Sequence, residues 1–516
     1  MMAFGSMALL PVASMAQSAA PQAAVAKMPN KAEIKASDAK QTPEQQEAEY
    51  KKSMAEFAAK RKVADPAKAV DEFGEVLKRQ WSYYRANGVD FPAELAKLKQ
   101  RVVKEHLDLD TTERELQRIL MLGIDGHAKV TSVGYPDGRL PIFLGPSGKR
   151  FAVIKADYSS LLDPEYPYLD SIDGKDVATW MKLAARYVAK GSPQVVESRG
   201  SRFITKNFRY LQQEGGFSIK NQVDVVLASA DGARKKTVKL DVDTTEPSHD
   251  KPKIQQSLGP SRWLGDGKIG YLRIAKMDSD AVEEIETWMG KFKDAKGLII
   301  DVRNNGGGSR EALMEMYSYL ADPKDPPRVI NAAVYRLYSA FPDDHLSRRY
   351  MYRENDPHWT PAEKAAIAKF KTTFKPLWAP PVGEFSDWHY LALKVETLPG
   401  VYHFTKPVIV LSNDRIFSAA DIFMAGMHSL PNVTILGVPS GGGSARLVAE
   451  EIENGAITVK LGSMISYQVD GHLFDGVGVP VNVRVDPDPE FYLAYGKAKD
   501  NQLDAALHLI EEKASK

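Results

Sequence analysis

Two segments of this chain combine side chains and backbone groups that could carry out acyl transfer. The first, residues 297–308, has the sequence GLIIDVRNNGGG, an apolar run that ends in charged and amide residues and three glycines. This pattern predicts a buried strand followed by a loop whose backbone N–H groups can approach a ligand closely. Since a helical pattern follows at residues 309–320, the loop suits negative charge, either a bound anion or a transient oxyanion.

The second segment, residues 407–421, has the sequence PVIVLSNDRIFSAAD. It predicts another buried strand, a polar turn and a helix that begins at or near Ser418. A serine hydroxyl at the positive end of a helix, with small residues beside it, is a nucleophile if a base reaches it. Residues 418–421 also fit a capping box with Ser418 as the N-cap. From these residues alone, the capping interpretation is the commoner one.

Three segments in this order resemble the tail-specific, or C-terminal processing, serine peptidases. In that family a strand ending in Asp-x-Arg-x-Asn-x-Gly-Gly supplies oxyanion-hole backbone, a later Ser-Ala-x-Glu/Asp segment supplies the nucleophile, and a Gly-Val-x-Pro element follows. The corresponding segments here are residues 301–308, 418–421 and 470–480. The resemblance is good over residues 270–489 and weaker over 116–242. It implies a serine-type peptidase, a hydrolase that acts on proteins or peptides.

The general base distinguishes two branches of the family. Many members use a lysine about two dozen residues after the serine, but here Gly443 stands at that position and the nearest cation is Arg446. Arginine stays protonated in proteins, so a Ser–Lys dyad is not expected. The branch that includes the tricorn protease core and interphotoreceptor retinoid-binding protein has an upstream Leu-x-Asp-x-His segment, which residues 122–127 resemble. This resemblance implies His127 as the base, since imidazole titrates near neutral pH.

A third group should orient the base. The tricorn-like pattern has a glutamate just before the closing element, and the matching residue here is Asp475, which is one methylene shorter. The alternative is that Asp475 is a turn residue, because Asp-Gly is a common turn pair. Where the pattern can have a serine before the histidine, this chain has Gly126, so a fourth catalytic member is not expected.

The resemblance therefore implies acyl transfer by a Ser-His-Asp mechanism in which the serine attacks a peptide carbonyl. The oxyanion would be stabilised by the backbone N–H of Ala419 and by that of Gly306 or Gly307. Which glycine donates is left open by the sequence. No Gly-x-Ser-x-Gly elbow occurs in the chain, which argues against an α/β-hydrolase.

Composition excludes several other classes. The chain has 516 residues, a net charge of +1, 43% hydrophobic residues and no cysteine. Its length predicts about three domains. The balanced charge gives no reason to expect nucleic-acid binding. Without cysteine there is no thiolate catalysis, disulfide or zinc–cysteine site, and no metal or nucleotide motif occurs, so no cofactor is expected.

The N-terminal pattern predicts export. Residues 1–16 are apolar and small and end in Ser-Met-Ala. This is typical of the apolar region and cleavage site of a signal peptide, although the segment lacks the lysine or arginine usual at the start of one. Residues 17–42 predict a flexible linker. We therefore expect a periplasmic or secreted protein, since no later segment is apolar enough to span a membrane.

The remaining organisation is that of a multidomain α/β protein with a crotonase/ClpP-like ββα catalytic core. The expected parts are a helical region that carries His127 (43–135), a PDZ-like β domain (140–245), the catalytic domain (265–490) with an insertion (321–401), and a C-terminal helix (491–516). A PDZ-like domain can bind an extended peptide as an added strand, but the usual Gly-Leu-Gly-Phe-type loop is not evident, so a purely structural β domain is the alternative. The aromatic residues of the insertion predict either a substrate cleft or lid, or a satellite core.

Two other functions remain open from the sequence. One is a catalytically silent member that binds a peptide or an apolar ligand, as the retinoid-binding relative allows. The other is acyl-CoA chemistry, which the crotonase-like core would permit but for which no nucleotide-binding basic cluster is found. The cleavage preference, the physiological substrate and the oligomeric state are not indicated by the sequence.

Overall fold

The computed structural model describes residues 43–245, 258–337, 343–396 and 399–514. The predicted signal peptide and linker, residues 1–42, lie outside the described residues. The chain divides into two compact units, and residues 60–516 form the larger one. No helix in the described part of the chain is long and apolar enough to cross a membrane.

The N-terminal region is helical, as its sequence pattern predicts. Its helices are α1 (Pro43–Val63), α2 (Pro66–Gln80), α3 (Phe91–Glu105) and α4 (Leu109–Leu120). Pro66 and Pro92 occupy the first turns of α2 and α3, where the missing N–H removes no helical hydrogen bond. The Asp65, Asp90 and Asp108 side chains cap α2, α3 and α4 by accepting backbone N–H bonds.

Helices α2 and α4 cover a small antiparallel sheet. Its strands, in the order β1-β17-β16, are β1 (Lys129–Val130), β17 (Ile457–Gly462) and β16 (Leu447–Ile452). Apolar side chains of α2 and α4, including Phe73 and Ile119, join those of the sheet, including Val448 and Leu461, in one buried core. Because His127 lies between α4 and β1, this core positions the predicted base.

The region expected to be PDZ-like contains a six-stranded antiparallel sheet, five strands of which follow the order β2-β3-β4-β6-β7. The strands are β2 (Ile142–Ser147), β3 (Arg150–Lys155), β4 (Tyr168–Ile172), β6 (Gln222–Ala228) and β7 (Lys235–Asp241), and β5 (Lys175–Asp176) pairs with β4. Three helices accompany it: α5 (Val177–Ala184), α6 (Pro193–Lys206) and α7 (Phe208–Glu214). We call this part the insert domain.

The interpretation of this region as a β domain named no helix, and the structure has three. Two of these helices have a recognisable N-terminal signal in the sequence. Asp176 caps α5, and Ser192 caps α6 with Pro193 in its first turn, which is the standard arrangement of a helix N-terminus.

The catalytic region is built on a six-stranded sheet in the order β19-β15-β14-β10-β9-β8. The strands are β8 (Arg262–Leu264), β9 (Ile269–Arg273), β10 (Gly297–Asp301), β14 (Val408–Ser412), β15 (Val433–Gly437) and β19 (Val483–Arg484). All pair in parallel except β8 with β9. Since β10 and β14 are neighbours, the glycine loop after β10 and the serine turn after β14 emerge at the same edge of the sheet.

Both faces of this sheet are buried. On one face Leu298 and Val410 belong to a large core that also contains residues of α8 (Ser279–Lys291), α9 (Glu311–Leu320) and α11 (Ala419–His428). On the other face Ile299 and Ile409 pack with the C-terminal helix α13 (Asn501–Ala514). Strands covered on both faces are expected to be continuously apolar, which explains the unbroken runs in their sequences.

The insertion forms part of a second sheet in the order β12-β13-β11-β18. Its strands are β11 (Arg328–Tyr335), β12 (Tyr352–Arg353), β13 (His389–Leu393) and β18 (Met464–Tyr467), and helix α10 (Pro361–Thr373) lies beside it. Trp359 and Tyr390 are almost fully buried with Ile367 of α10. Of the two interpretations of the aromatic residues, these two side chains fit the satellite core.

Candidate active site

Ser418 immediately precedes helix α11 in a strained backbone conformation. Its φ is 64° and its ψ is −126°, a region that a residue with a Cβ rarely adopts and that often occurs at functional sites. Its side chain makes no capping hydrogen bond. The capping-box interpretation was therefore wrong, because an N-cap serine normally has extended backbone angles and bonds to the N–H groups of the first turn.

The turn before Ser418 is joined to the glycine loop by hydrogen bonds. Asn413 Oδ1 accepts the Asn304 N–H at 2.9 Å, and Asn413 Nδ2 donates to Asn304 Oδ1 at 2.9 Å. The N–H of Phe417 donates to the Asn305 carbonyl at 3.0 Å. The two loops that emerge side by side from the sheet are thus held in a single arrangement.

Gly307 lies directly against the serine. A Cβ at this position would lie 2.7 Å from Ser418 Cβ and 2.8 Å from the backbone nitrogen of Ala419, and its φ of 97° also favours glycine. Its own N–H donates to Asn305 Oδ1 at 2.9 Å. Gly307 therefore permits the close approach of the two loops, but its N–H is already used.

Gly306 and Ala419 are better placed to donate to an oxyanion. Gly306 is exposed, and no atom of its surroundings lies within 4 Å of a Cβ built on it. Ala419 is the first residue of α11, so its N–H has no acceptor within the helix. In the chain Gly306 precedes Gly307 and Ala419 follows Ser418, and Gly307 and Ser418 are the residues in contact.

His127 contacts the residue that precedes the serine. Its imidazole packs on the ring of Phe417, with a centroid separation of 4.5 Å and an interplanar angle of 35°. Its backbone N–H donates to Asp125 Oδ1 at 2.9 Å. Phe417 precedes Ser418 in the chain, so the predicted base contacts the residue next to the predicted nucleophile, while no hydrogen bond joins His127 to Ser418 among the described residues.

The environment of His127 favours the neutral imidazole. Burial lowers the pKa of His127 to about 4; the Asp125 carboxylate raises it, and the Arg199 and Arg349 cations lower it. The ring nitrogen Nδ1 is buried and has no hydrogen-bond partner in the described part of the chain. A neutral imidazole can accept a proton from a hydroxyl, as a general base must.

Asp475 is fully buried next to this histidine. Its Oδ2 accepts the Tyr83 hydroxyl at 2.8 Å and the Ser444 N–H at 2.9 Å, and its Oδ1 accepts the Gly126 N–H at 3.3 Å. Burial raises the pKa of Asp475 to about 7, and the charge of Asp125 adds to this effect. Asp475 thus contacts the loop that carries the base and is not an exposed turn residue.

Asp125 is a further acid of the site, to which the sequence interpretation assigned no role. Its Oδ2 accepts the Trp81 indole N–H and the Gly462 N–H, both at 2.8 Å. A ring nitrogen of His127 and one carboxylate oxygen from each of Asp125 and Asp475 lie within 4.8 Å of one another. This set could in principle ligate a metal ion, but the acids already accept several N–H and O–H bonds. The Leu-x-Asp-x-His segment was the available signal for Asp125.

The loop around Gly443, where the family resemblance would place a lysine, offers no base here. A Cβ at Gly443 would lie 2.3 Å from Phe417 Cζ, and Arg446 is fully buried. The loop is held by Asp421, whose Oδ1 accepts the Ser440 hydroxyl at 2.5 Å and the Gly442 N–H at 3.0 Å. The acid of the supposed capping box therefore positions this loop.

Helix α6 of the insert domain also reaches the site. Ser192 Oγ donates to the Gly441 carbonyl at 2.5 Å, and Gln194 Nε2 donates to the Ser440 carbonyl at 2.7 Å. Arg199 Nη1 donates to the Gly126 carbonyl at 2.8 Å. Nothing in the sequence pattern predicted these contacts, which join residues far apart in the chain.

Comparisons with known proteins point to one peptidase family. Residues 268–490 match the model of Peptidase family S41. The carboxy-terminal processing protease CtpA of Bacillus subtilis (strain 168) is 24% identical over 361 residues, a match that covers 65% of this chain and 64% of CtpA. The chain thus spans slightly less than two thirds of that relative's length.

Among solved structures, mature CPAF complexed with lactacystin is similar with a TM-score of 0.60 and 18% identity, over 87% of this chain and 99% of that chain. Mature CPAF alone has a TM-score of 0.59 and 18% identity, over 87% and 98% of the two chains. At this identity the likeness shows a shared multidomain α/β fold.

Proposed function

We propose that this chain, which belongs to peptidase family S41 through residues 268–490, is a serine endopeptidase that forms an acyl-enzyme on Ser418. The observation that carries the proposal is the contact at Phe417 between the loop that carries His127 and the turn that precedes Ser418. The imidazole of His127 lies on the ring of the residue that precedes a serine whose hydroxyl caps no helix. We expect the neutral imidazole to reach this hydroxyl once substrate binds, which would activate it as a nucleophile.

In the proposed reaction, Ser418 Oγ attacks the peptide carbonyl while His127 takes the hydroxyl proton. The same imidazole then returns the proton to the leaving amine, and water releases the acyl group by the reverse steps. Asp475 orients the imidazole and stabilises its charged form. The mechanism requires the hydroxyl and the carboxylate to engage different ring nitrogens once substrate is bound, when catalytic hydrogen bonds commonly shorten.

The oxyanion of the tetrahedral intermediate is stabilised by the N–H groups of Gly306 and Ala419. Each such donor contributes about 3 kcal/mol of transition-state stabilisation in other acyl-transfer enzymes. The bond from Gly307 to Asn305 supports the choice of Gly306. Gly307 instead provides the close approach that its missing side chain allows.

The substrate class is protein or peptide, consistent with the name of the relative CtpA, and the catalytic core is of the crotonase/ClpP-like type. For the insert domain we propose a PDZ-like architecture with a structural role. Strand β2 is covered by helix α6, since Ser201 Oγ donates to the Leu144 carbonyl at 3.1 Å and Leu140 N–H donates to the Thr205 carbonyl at 2.8 Å. This coverage argues against peptide addition at β2. The signal-like pattern of residues 1–16 supports export.

Labelling with a fluorophosphonate probe tests the proposal. We expect the purified wild type to be labelled, and the Ser418→Ala and His127→Ala variants to remain unlabelled. Ser429→Ala at the other end of α11 and His508→Ala on the exposed face of α13 are matched controls. A folded wild type that takes no label would favour the silent ligand-binding member. Labelling that survives His127→Ala would require a different base.

A further inference from the structure

The ring of Phe417 occupies a volume that two other positions leave empty. A Cβ added at Gly126 would lie 2.6 Å from Phe417 Cζ, and one added at Gly443 would lie 2.3 Å from the same atom. Real Cβ atoms do not approach a neighbour so closely, so a side chain at either position would have to displace the ring. Both glycines have their backbone close to the ring, which explains why neither position carries a side chain.

The other sides of the ring are covered by charged and aromatic groups. The His127 imidazole lies 4.5 Å away between centroids. The Arg199 guanidinium lies 4.6 Å from the ring centroid and also donates to the Gly126 carbonyl at 2.8 Å. One cation of the insert domain therefore contacts the residue before the base and the residue before the nucleophile. A partly desolvated guanidinium over an aromatic face stabilises this stack.

The orientation of His127 depends on this stack. Its Nδ1 lacks a hydrogen-bond partner in the described part of the chain and lies 3.9 Å from Asp125 Oδ1, beyond hydrogen-bond distance. Before substrate binds, hydrogen bonding through Nδ1 does not hold the imidazole, whereas the Phe417 ring packs against it.

We propose that Phe417 is a positioning residue, on which the imidazole of His127 is held beside Ser418, and that Gly126 and Gly443 are glycines because this ring needs their space. The inference rests on the proposed serine peptidase function. It also explains why this chain has no lysine base. A lysine at position 443, where other family members have their base, would collide with the ring, so this chain accommodates either the aromatic platform or a lysine base but not both.

The test separates probe binding from covalent labelling by measuring fluorophosphonate labelling rates at several probe concentrations. For Phe417→Ala we expect the maximal labelling rate to fall about 100-fold, the effect of a misplaced catalytic group, with little change in the apparent probe affinity. Phe417→Leu should retain an intermediate rate, because it keeps part of the packing surface. Phe404→Leu, a substitution of another buried phenylalanine, should stay within about twofold of wild type, as substitutions away from the site usually do.

The shared volume provides a second, independent measurement. Gly443→Ala should slow labelling by about 10-fold because its methyl group displaces the ring, and Phe417→Leu should relieve that clash, so that the double variant labels faster than the two single effects predict. Additive effects would overturn the proposal, even if Phe417→Ala failed to fold. A folded Phe417→Ala variant that labels at the wild-type rate, while His127→Ala does not label, would also overturn it and leave the peptidase proposal standing. A wild type that takes no label would refute both the Phe417 proposal and the peptidase proposal.

Discussion

The hydroxyl of Tyr83 donates to Oδ2 of Asp475 across 2.8 Å, so the turn after helix α2 contacts the carboxylate beside the proposed base. Both residues are fully buried. The hydrogen bond lowers the pKa of Asp475 against the larger effect of burial, which raises it. The N-terminal helical region is thereby connected to the chemistry of the site and not only to its packing.

Replacing Tyr83 by phenylalanine should reduce labelling of Ser418 at pH 7 by about fivefold, which corresponds to about 1 kcal/mol, the net contribution of one typical hydrogen bond. Without this donor the pKa of Asp475 rises further, so a smaller fraction is ionised at a given pH. The measurement is the labelling rate between pH 5 and 9. The increase of this rate with pH should occur at higher pH in the variant than in the wild type. Tyr84→Phe, next in the chain, is the control. A variant whose profile superimposes on that of the wild type would show that Tyr83 does not influence the acid.

The pH dependence of labelling in the wild type follows from Asp475 and His127. The pKa of Asp475 is raised to about 7 and that of His127 is lowered to about 4, so at pH 5 the acid is protonated and the imidazole is neutral. Labelling should increase as the pH rises through about 7, because ionised Asp475 can then stabilise the imidazolium that forms. Asp475→Asn should show a low rate without this rise. A wild-type rate that is flat from pH 5 to 9 would contradict the assignment of Asp475.

The parts of the structure that local sequence signals specify were predictable. The helix starts at Pro66 and near Pro92, and the strands that end at Asp301 and Ser412, follow from capping residues and apolar runs. The glycine loop and the serine turn were associated through the family resemblance, and the pairing of β10 with β14 is the structural reason that they meet.

The remaining features of the site depend on contacts between distant parts of the chain. The donors Tyr83 and Ser444 of Asp475, and Trp81 of Asp125, come from other elements. The choice between Gly306 and Gly307 depended on a single hydrogen bond, which the Gly307 N–H donates to Asn305 Oδ1. Periodicity and spacing do not contain such information, and the roles of all the predicted site residues still await the labelling experiment.

Asp421 should make the protein less stable as the pH rises. Burial raises its pKa well above the usual value, and its Oδ2 has no hydrogen-bond partner among the described residues. An acid with a raised pKa in the folded state holds its proton more tightly there than in the unfolded chain. Its favourable contribution is therefore complete below pH about 4, the ordinary pKa, and is lost progressively as the pH rises towards the folded-state value.

Asp421→Asn should remove this dependence, since the amide stays neutral while its oxygen can still accept from Ser440 and Gly442. The melting temperature of the variant relative to wild type should therefore increase between pH 5 and pH 8, by about 1–3 °C. Scanning fluorimetry at the two pH values measures this, with the exposed Asp470→Asn as control. A difference that is constant with pH would show that Asp421 does not change its proton affinity on folding.

Asn413 should couple the oxyanion loop to the nucleophile. Its side chain makes two reciprocal bonds with Asn304 and a third, at 3.3 Å, with the N–H of Arg415. Asn413→Ala removes all three and leaves buried polar groups of Asn304 without partners, so the melting temperature should fall. Because the two loops then move relative to each other, the labelling rate should fall by about 10-fold or more at temperatures where the variant is folded.

The matched control for this variant is Asn432→Ala, which removes one bond to the Leu320 carbonyl at the other end of the same helix layer. It should lower the melting temperature without changing the labelling rate of the folded protein. If Asn413→Ala also lost only stability, the loops would be positioned by the sheet alone. A selective loss of labelling would instead show that the amide pair sets the distance between the oxyanion donors and Ser418.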